Sequence, residues 1–427
     1  MKSRLLKDVA VMALTRILSL AGAAAINVLV SRVLGPAGRG SYALPIIDCG
    51  LAATLIMGFS SALPYFMLKT GVDRGLLRPI FRAMVLFILA GAALTVAIGL
   101  SNRQLWALLP ALVYLPFYAL LTIVSGYCIG RNQIRFGGLL NVAVPFITLA
   151  SVAAGFLLFG RTAHVAVLGW LCGTVVTAVC AVAITIRYVR PDRSAAIQTR
   201  DFVRFAAKAG TLNMVTVLNY RIDVYIVAMI APLATLGLYS VAVAGAEAAV
   251  ALAHSFSLAM QPRVGSLDRT GAAIFTARCS RSNLLFAALL CTLVALIAGP
   301  AVKVVFGIAF LPVVPVLRVL LIGVVALSVG TVLTNYFLLN TGRTLVPLSA
   351  GAFSALICAI VSLILVPRIG MMGAAIGTAT SYVLSQIINI YWFCRESGIK
   401  PVNVLFIDGT DVDLYKRMIQ GKLSRAT

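Results

Sequence analysis

Ala10-Val-Met-Ala-Leu-Thr-Arg-Ile-Leu-Ser-Leu-Ala-Gly-Ala-Ala-Ala-Ile-Asn-Val-Leu-Val-Ser-Arg-Val-Leu34 stays apolar long enough to decide the class of this chain. At about 1.5 Å per residue, a helix over 10–34 crosses the ~30 Å hydrocarbon core of a bilayer. The basic start (Lys2, Arg4, Lys7) and the small residues Ala21-Gly-Ala-Ala-Ala25 imitate a secretory signal with its cleavage site. A signal's apolar region is only about 7–15 residues, whereas Ile26-Asn-Val-Leu-Val30 carries this run on to Leu34. It therefore reads as a retained membrane span.

Similar runs recur end to end. They predict spans over 10–34, 41–68, 79–100, 104–129, 137–159, 163–186, 205–231, 235–260, 283–307, 312–340, 346–367 and 371–394. The 427 residues are 61% hydrophobic and 11% charged, against about 45–50% apolar and about 25% charged in a soluble domain. Too little polar surface remains for a water-soluble globule, and the fold class is all-α integral membrane with about twelve transmembrane helices. In a soluble protein the net charge of +23 would suggest nucleic acid. Here the basic residues are strung between spans, beside anionic headgroups, and no basic–aromatic module supports a nucleic-acid partner. The eight cysteines are scattered without a CxxC pair, and only two histidines occur, His164 and His254. No metal site and no cofactor is expected, and the cysteines read as small hydrophobes between helices.

Charge placement sets the orientation. Threading twelve spans puts 26 of the 35 Lys and Arg residues on the side of the N-terminus. Six lie on the other side (Arg32, Arg39, Arg103, Arg161, Lys303, Arg368), and Arg16, Arg221 and Arg318 stay inside spans. Excess Lys/Arg in short loops marks the cytoplasmic face, so both termini are expected there. An odd number of spans would destroy the asymmetry. The opposite loops are all short, and none is long enough to fold as a catalytic domain.

The expected organisation is an N-terminal six-helix lobe (1–190), a cytoplasmic connection (191–204), a C-terminal six-helix lobe (205–395) and a cytoplasmic tail (396–427). In the tail, Thr410-Asp411 suits the cap of a short helix with Tyr415, Met418, Ile419 and Leu423 on one face; a solvated tail is the alternative. The lobes look like repeats. A shift of 197 residues lays Gly40-Ser-Tyr42 on Gly237-Leu-Tyr239 and Phe59-Ser60 on Phe256-Ser257. Six spans per repeat is even, so the repeats share one orientation and imply an axis along the membrane normal.

The stretch Leu29-Val-Ser-Arg-Val-Leu-Gly-Pro-Ala-Gly-Arg-Gly-Ser-Tyr-Ala43 resembles the start of polysaccharide-biosynthesis flippases, the bacterial exporters of lipid-linked oligosaccharides. Arg221-Ile-Asp223 with Leu236-Gly-Leu-Tyr-Ser-Val-Ala242 resembles the same family's seventh and eighth spans. The resemblance covers about residues 8–395 and extends to a superfamily that also holds multidrug antiporters and lipid II flippases. It implies two lobes around a central cavity and a location in the bacterial inner membrane. The implied activity is flipping of a polyprenyl-pyrophosphate-linked oligosaccharide by alternating access. Implied partners are membrane lipids, the lipid-linked glycan and polysaccharide polymerase machinery.

A charge inside a span costs at least about 2.5–3.5 kcal/mol and usually faces a polar cavity or a partner. Arg16 lies roughly 10 Å deep. Its planar fork suits a diphosphate, and snorkelling to headgroups is the alternative. Arg221 and Asp223 point about 200° apart on one helix, so each needs another partner. Arg221 and Arg318 are candidates for substrate binding, and Asp223 and Glu247 for a coupling proton or cation; structural Arg–acid pairing is the competing reading. Asp48, a further ion-coupling candidate, is placed to pair with Arg32 or Arg39. Asn27 and Asn219, like Asn141, Asn213 and Asn335, offer hydrogen bonds to sugar hydroxyls or glue between helices.

No catalytic residue is assigned. A polymerase or ligase would need a substantial extracytoplasmic loop, which the chain lacks. The drug antiporters of the resembling superfamily typically carry an acid in span one; this chain has Arg16 and no acid between residues 9 and 47. The cation-bearing spans favour an anionic substrate.

Overall fold

The structure, a computed structural model, describes residues 2–70, 77–101, 108–131, 133–186 and 199–406. The proposed tail helix around 410–423 and most of the central connection lie outside these residues. Among the described residues every regular element is a helix: α1 (Lys2–Ile56), α2 (Gly58–Thr70), α3 (Leu77–Ser101), α4 (Leu108–Gly130), α5 (Ile134–Leu158), α6 (Ala163–Ile186), α7 (Thr199–Ile230), α8 (Leu233–Ser266), α9 (Arg269–Val305), α10 (Val313–Asn335), α11 (Leu345–Ile369), α12 (Met371–Ser397) and the short α13 (Pro401–Leu405).

Nine of these are long and apolar enough to cross a membrane. The first, Leu14–Met67, contains the two spans expected over 10–34 and 41–68. They are joined without a loop, at Gly35 (φ 65°, ψ −175°) followed by Pro36. Only glycine takes that φ without strain, and Pro36 has no N–H to continue the helix, so the pair breaks the direction of α1 without a connecting segment. The shorter apolar stretch of α3, Ile80–Ala93, and the more polar α7 lie over two further spans expected from the sequence. The ninth span differs from its expected bounds: α9 starts at Arg269, not 283. Asp268 caps it by accepting from the Gly271 N–H.

The chain forms two compact units: Met1–Arg221 with Pro232–Leu238, and Ile222–Ala231 with Tyr239–Thr427. In unit 1, Phe59, Phe87 and Phe202 stack edge and face at 5.4–6.0 Å within an apolar core that also buries Phe66. In unit 2, Tyr336, Phe337 and Phe393 occupy the corresponding role. Large apolar side chains point outward instead, Leu157 (83% exposed) and Leu345 (76%) among them. Where hydrocarbon is the solvent, this inversion carries no penalty.

Tyr42 and Tyr239, equivalent under the 197-residue shift, are both buried. Gly40 and Gly237, also equivalent, meet across α1 and α8 in unit 1. A Cβ at Gly40 would sit 1.8 Å from the Leu233 carbonyl oxygen, and one at Gly237 1.9 Å from that of Pro36. No other residue lets two helix backbones approach so closely.

Candidate functional site

The most complete polar site lies in unit 2. Asp223 sits seven residues before the end of α7, and Tyr239 six residues after the start of α8. The short connection at Ala231–Pro232 therefore brings them to the same level. Asp223 is 3% exposed. The Tyr239 hydroxyl donates to Asp223 Oδ2 at 2.5 Å, and the Thr378 hydroxyl of α12 donates to the same oxygen at 2.7 Å. Oδ1 accepts from the Val224 N–H at 2.8 Å. Cys358 of α11 follows, its Sγ 3.6 Å from Thr378 Oγ1 and 3.8 Å from Ser362 Oγ.

Three donors aimed at one carboxyl group suit its ionised, acceptor-only form. The same oxygens, carboxylate, phenol and threonine hydroxyl, are hard donors of the type that hold a small cation. Among the described residues no group of three or more His, Cys, Asp or Glu side chains is placed to hold a metal ion. Sequence reasoning selected Asp223 but neither of its hydroxyl partners.

The remaining candidates are dispersed. Glu247 is half-buried on α8, and Arg318 is exposed on α10, where its Nε donates to the Ala295 carbonyl of α9 at 3.1 Å. Both belong to unit 2. Arg16, Asn27, Asp48, Asn219 and Arg221 belong to unit 1. Arg16 is exposed and Arg221 half-buried. The Asn219 side-chain oxygen is buried without a partner among the described residues.

Asp48 is buried, at 6% exposure. Arg39, one of the two partners expected for it, donates to Asn27 Oδ1 at 2.5 Å and lies 5.3 Å over the Tyr42 ring. Residues 27 and 39 would stand about 18 Å apart along a straight helix; the break at Gly35 folds one half of α1 back toward the other. Asn27 is thereby an acceptor for Arg39.

The helices and their order give the chain the fold of solved membrane transporters. Among solved structures, the chain is similar to the lipid II flippase MurJ in an inward closed conformation: TM-score 0.72, 14% identity, covering 92% of this chain and 90% of that one. An inward-facing multidrug resistance MATE family transporter of the MOP superfamily gives 0.69 at 15% identity, covering 89% and 95%. The Vibrio cholerae MATE transporter VcmN gives 0.62 at 13%, covering 94% and 99%. No protein-family model matches the sequence, and no curated protein matches it.

Proposed function

We propose that this protein is a transporter that flips a polyprenyl-pyrophosphate-linked oligosaccharide across the bacterial inner membrane by alternating access, both termini being cytoplasmic. The observation that carries the substrate class is the charge inside the spans: Arg16, Arg221 and Arg318, with no acid between residues 9 and 47. Guanidinium groups bind diphosphate oxygens through two parallel hydrogen bonds, and Arg16 is exposed and able to offer both. The fold shared with a lipid II flippase supports the reading. Asp223, held by Tyr239 and Thr378, is the coupling site for a proton or monovalent cation, with Glu247 and Asp48 as further candidates. Membrane lipids, the glycan carrier and a polysaccharide polymerase are the partners this role entails.

The second reading, a cation-coupled multidrug antiporter, is favoured by the likeness to MATE transporters. The acid-free first span speaks against it. Cells carrying Arg16→Ala or Arg221→Ala are expected to lose surface glycan while keeping wild-type protein levels. Unchanged glycan export in both variants would remove the diphosphate-binding role.

A further inference from the structure

Gly398 takes a left-handed conformation (φ 72°) at the end of α12, and α13 beyond it lies against α9. Val404 of α13 is fully buried there, in one apolar cluster with Ala272, Ala273 and Ala277 of α9. The chain therefore reaches Phe406 beside the first turns of α9, and residues 407–427 follow.

Those turns of α9 are basic. The span expected from the sequence starts at 283, so residues 269–282 carry the helix about 20 Å beyond the hydrocarbon. Arg278 and Arg281 are three residues apart and share a face, with Ile274 one turn earlier. Arg263, near the end of α8, adjoins them: its guanidinium lies 4.8 Å over the Phe275 ring. The charges of Arg263 and Arg278 both act on Cys279. An arginine that seeks lipid headgroups holds its fork out in the interface. Arg281 is instead 7% exposed, so protein covers it.

Between Tyr239 and Phe406 the chain has three acids, Glu247, Asp268 and Glu396. Glu247 stands about 24 Å before Arg263 along α8. Asp268 caps α9, and Glu396 lies between Arg269 at 2.7 Å and Arg343 at 3.3 Å. The next acids are Asp408, Asp411 and Asp413. At full extension they stand about 7–25 Å beyond Phe406. Arg281 is about 12 Å along α9 from Ala273, so the acidic stretch reaches the arginine face.

We propose that the acidic segment 408–413 of this chain docks on the face of α9 that carries Arg278 and Arg281, with Arg263 at its edge. A carboxylate accepts two parallel hydrogen bonds from a guanidinium, which suits three acids to this arc of arginines. The docked acids hold the start of the tail to unit 2, and the cations that follow, Lys416, Arg417, Lys422 and Arg425, are left for the anionic leaflet. Anionic headgroups are the competing occupant of the arginine face, and the test separates the two.

The test is hydrogen–deuterium exchange of the full chain in nanodiscs. In zwitterionic lipid, the amides of residues 407–415 are expected to exchange at least about tenfold slower in wild type than in Asp408→Asn/Asp411→Asn/Asp413→Asn, which alters no residue of the packed lobe. Arg278→Gln is expected to release the segment to the same extent. Arg395→Gln, whose guanidinium lies over the Trp392 ring, is expected to leave it protected. Equal exchange in wild type and the triple variant would overturn the proposal. Slow exchange that requires phosphatidylglycerol in the nanodiscs would overturn it too, and would assign the arginines to headgroups. Full protection in Arg278→Gln, beside loss of protection in the triple variant, would overturn the assignment to this face.

Discussion

Replacing Gly40 by alanine places a methyl group 1.8 Å from the Leu233 carbonyl oxygen. Ordinary contact begins at 3.4 Å, so α1 and α8 must part by about 1.6 Å along that line. Overpacking costs about 1–3 kcal/mol, and the upper end applies because the obstacle is backbone and has no rotamer to escape into. Alanine returns up to about 1 kcal/mol through helix propensity. The net expected loss is about 2 kcal/mol for Gly40→Ala, and similarly for Gly237→Ala, whose Cβ meets Pro36. One separation of the helices relieves both clashes. The double variant is therefore expected to be no less stable than either single one, a coupling of about 2 kcal/mol. Gly351→Ala is the control: nothing lies within 4 Å of its Cβ, so it should be neutral or gain up to about 1 kcal/mol. Equilibrium unfolding in mixed micelles would measure all four. A Gly40→Ala variant as stable as Gly351→Ala, or strict additivity in the double, would refute the close-approach argument.

Thr378→Val and Tyr239→Phe each remove one donor to buried Asp223 and should cost about 1.5–3 kcal/mol of stability, measured by the same titration. Asn27→Leu leaves buried Arg39 without that acceptor and should lower stability by about 1–3 kcal/mol, whereas Asn213→Leu, half-buried on α7, should cost less; thermal unfolding of the two variants makes the comparison. A green fluorescent protein fused after residue 427 is expected to fluoresce, and alkaline phosphatase inserted after Arg161 to be active, as the charge asymmetry requires.

The spans were legible because an apolar run of about 20 residues suffices by itself to demand a bilayer-crossing helix. Gly35-Pro36 falls between the first two expected spans, and the course of the helix across it was not legible. A break inside one continuous helix brings Arg39 to Asn27, a partner twelve residues away that helical spacing alone does not suggest. The early start of α9 was hidden because Arg278 and Arg281 read as loop, although arginine is a good helix former and apolar content is not needed beyond the hydrocarbon. Asp223 stood out as an intramembrane acid. Thr378 did not: it lies 155 residues away, and most threonines in spans satisfy themselves on their own helix. The usable signal was the helical spacing of Thr378, Ser381, Ser385 and Asn389 within one span, which singles out a buried polar face.

The central claim is that the cations inside the spans receive a lipid-linked diphosphate. Liposomes containing the purified protein and a fluorescent polyprenyl-pyrophosphate oligosaccharide, quenched from outside by dithionite, test it most directly. The account predicts complete quenching with wild type and quenching limited to the outer leaflet with Arg16→Ala. Movement of ethidium against an ion gradient, with no movement of the labelled lipid, would contradict it.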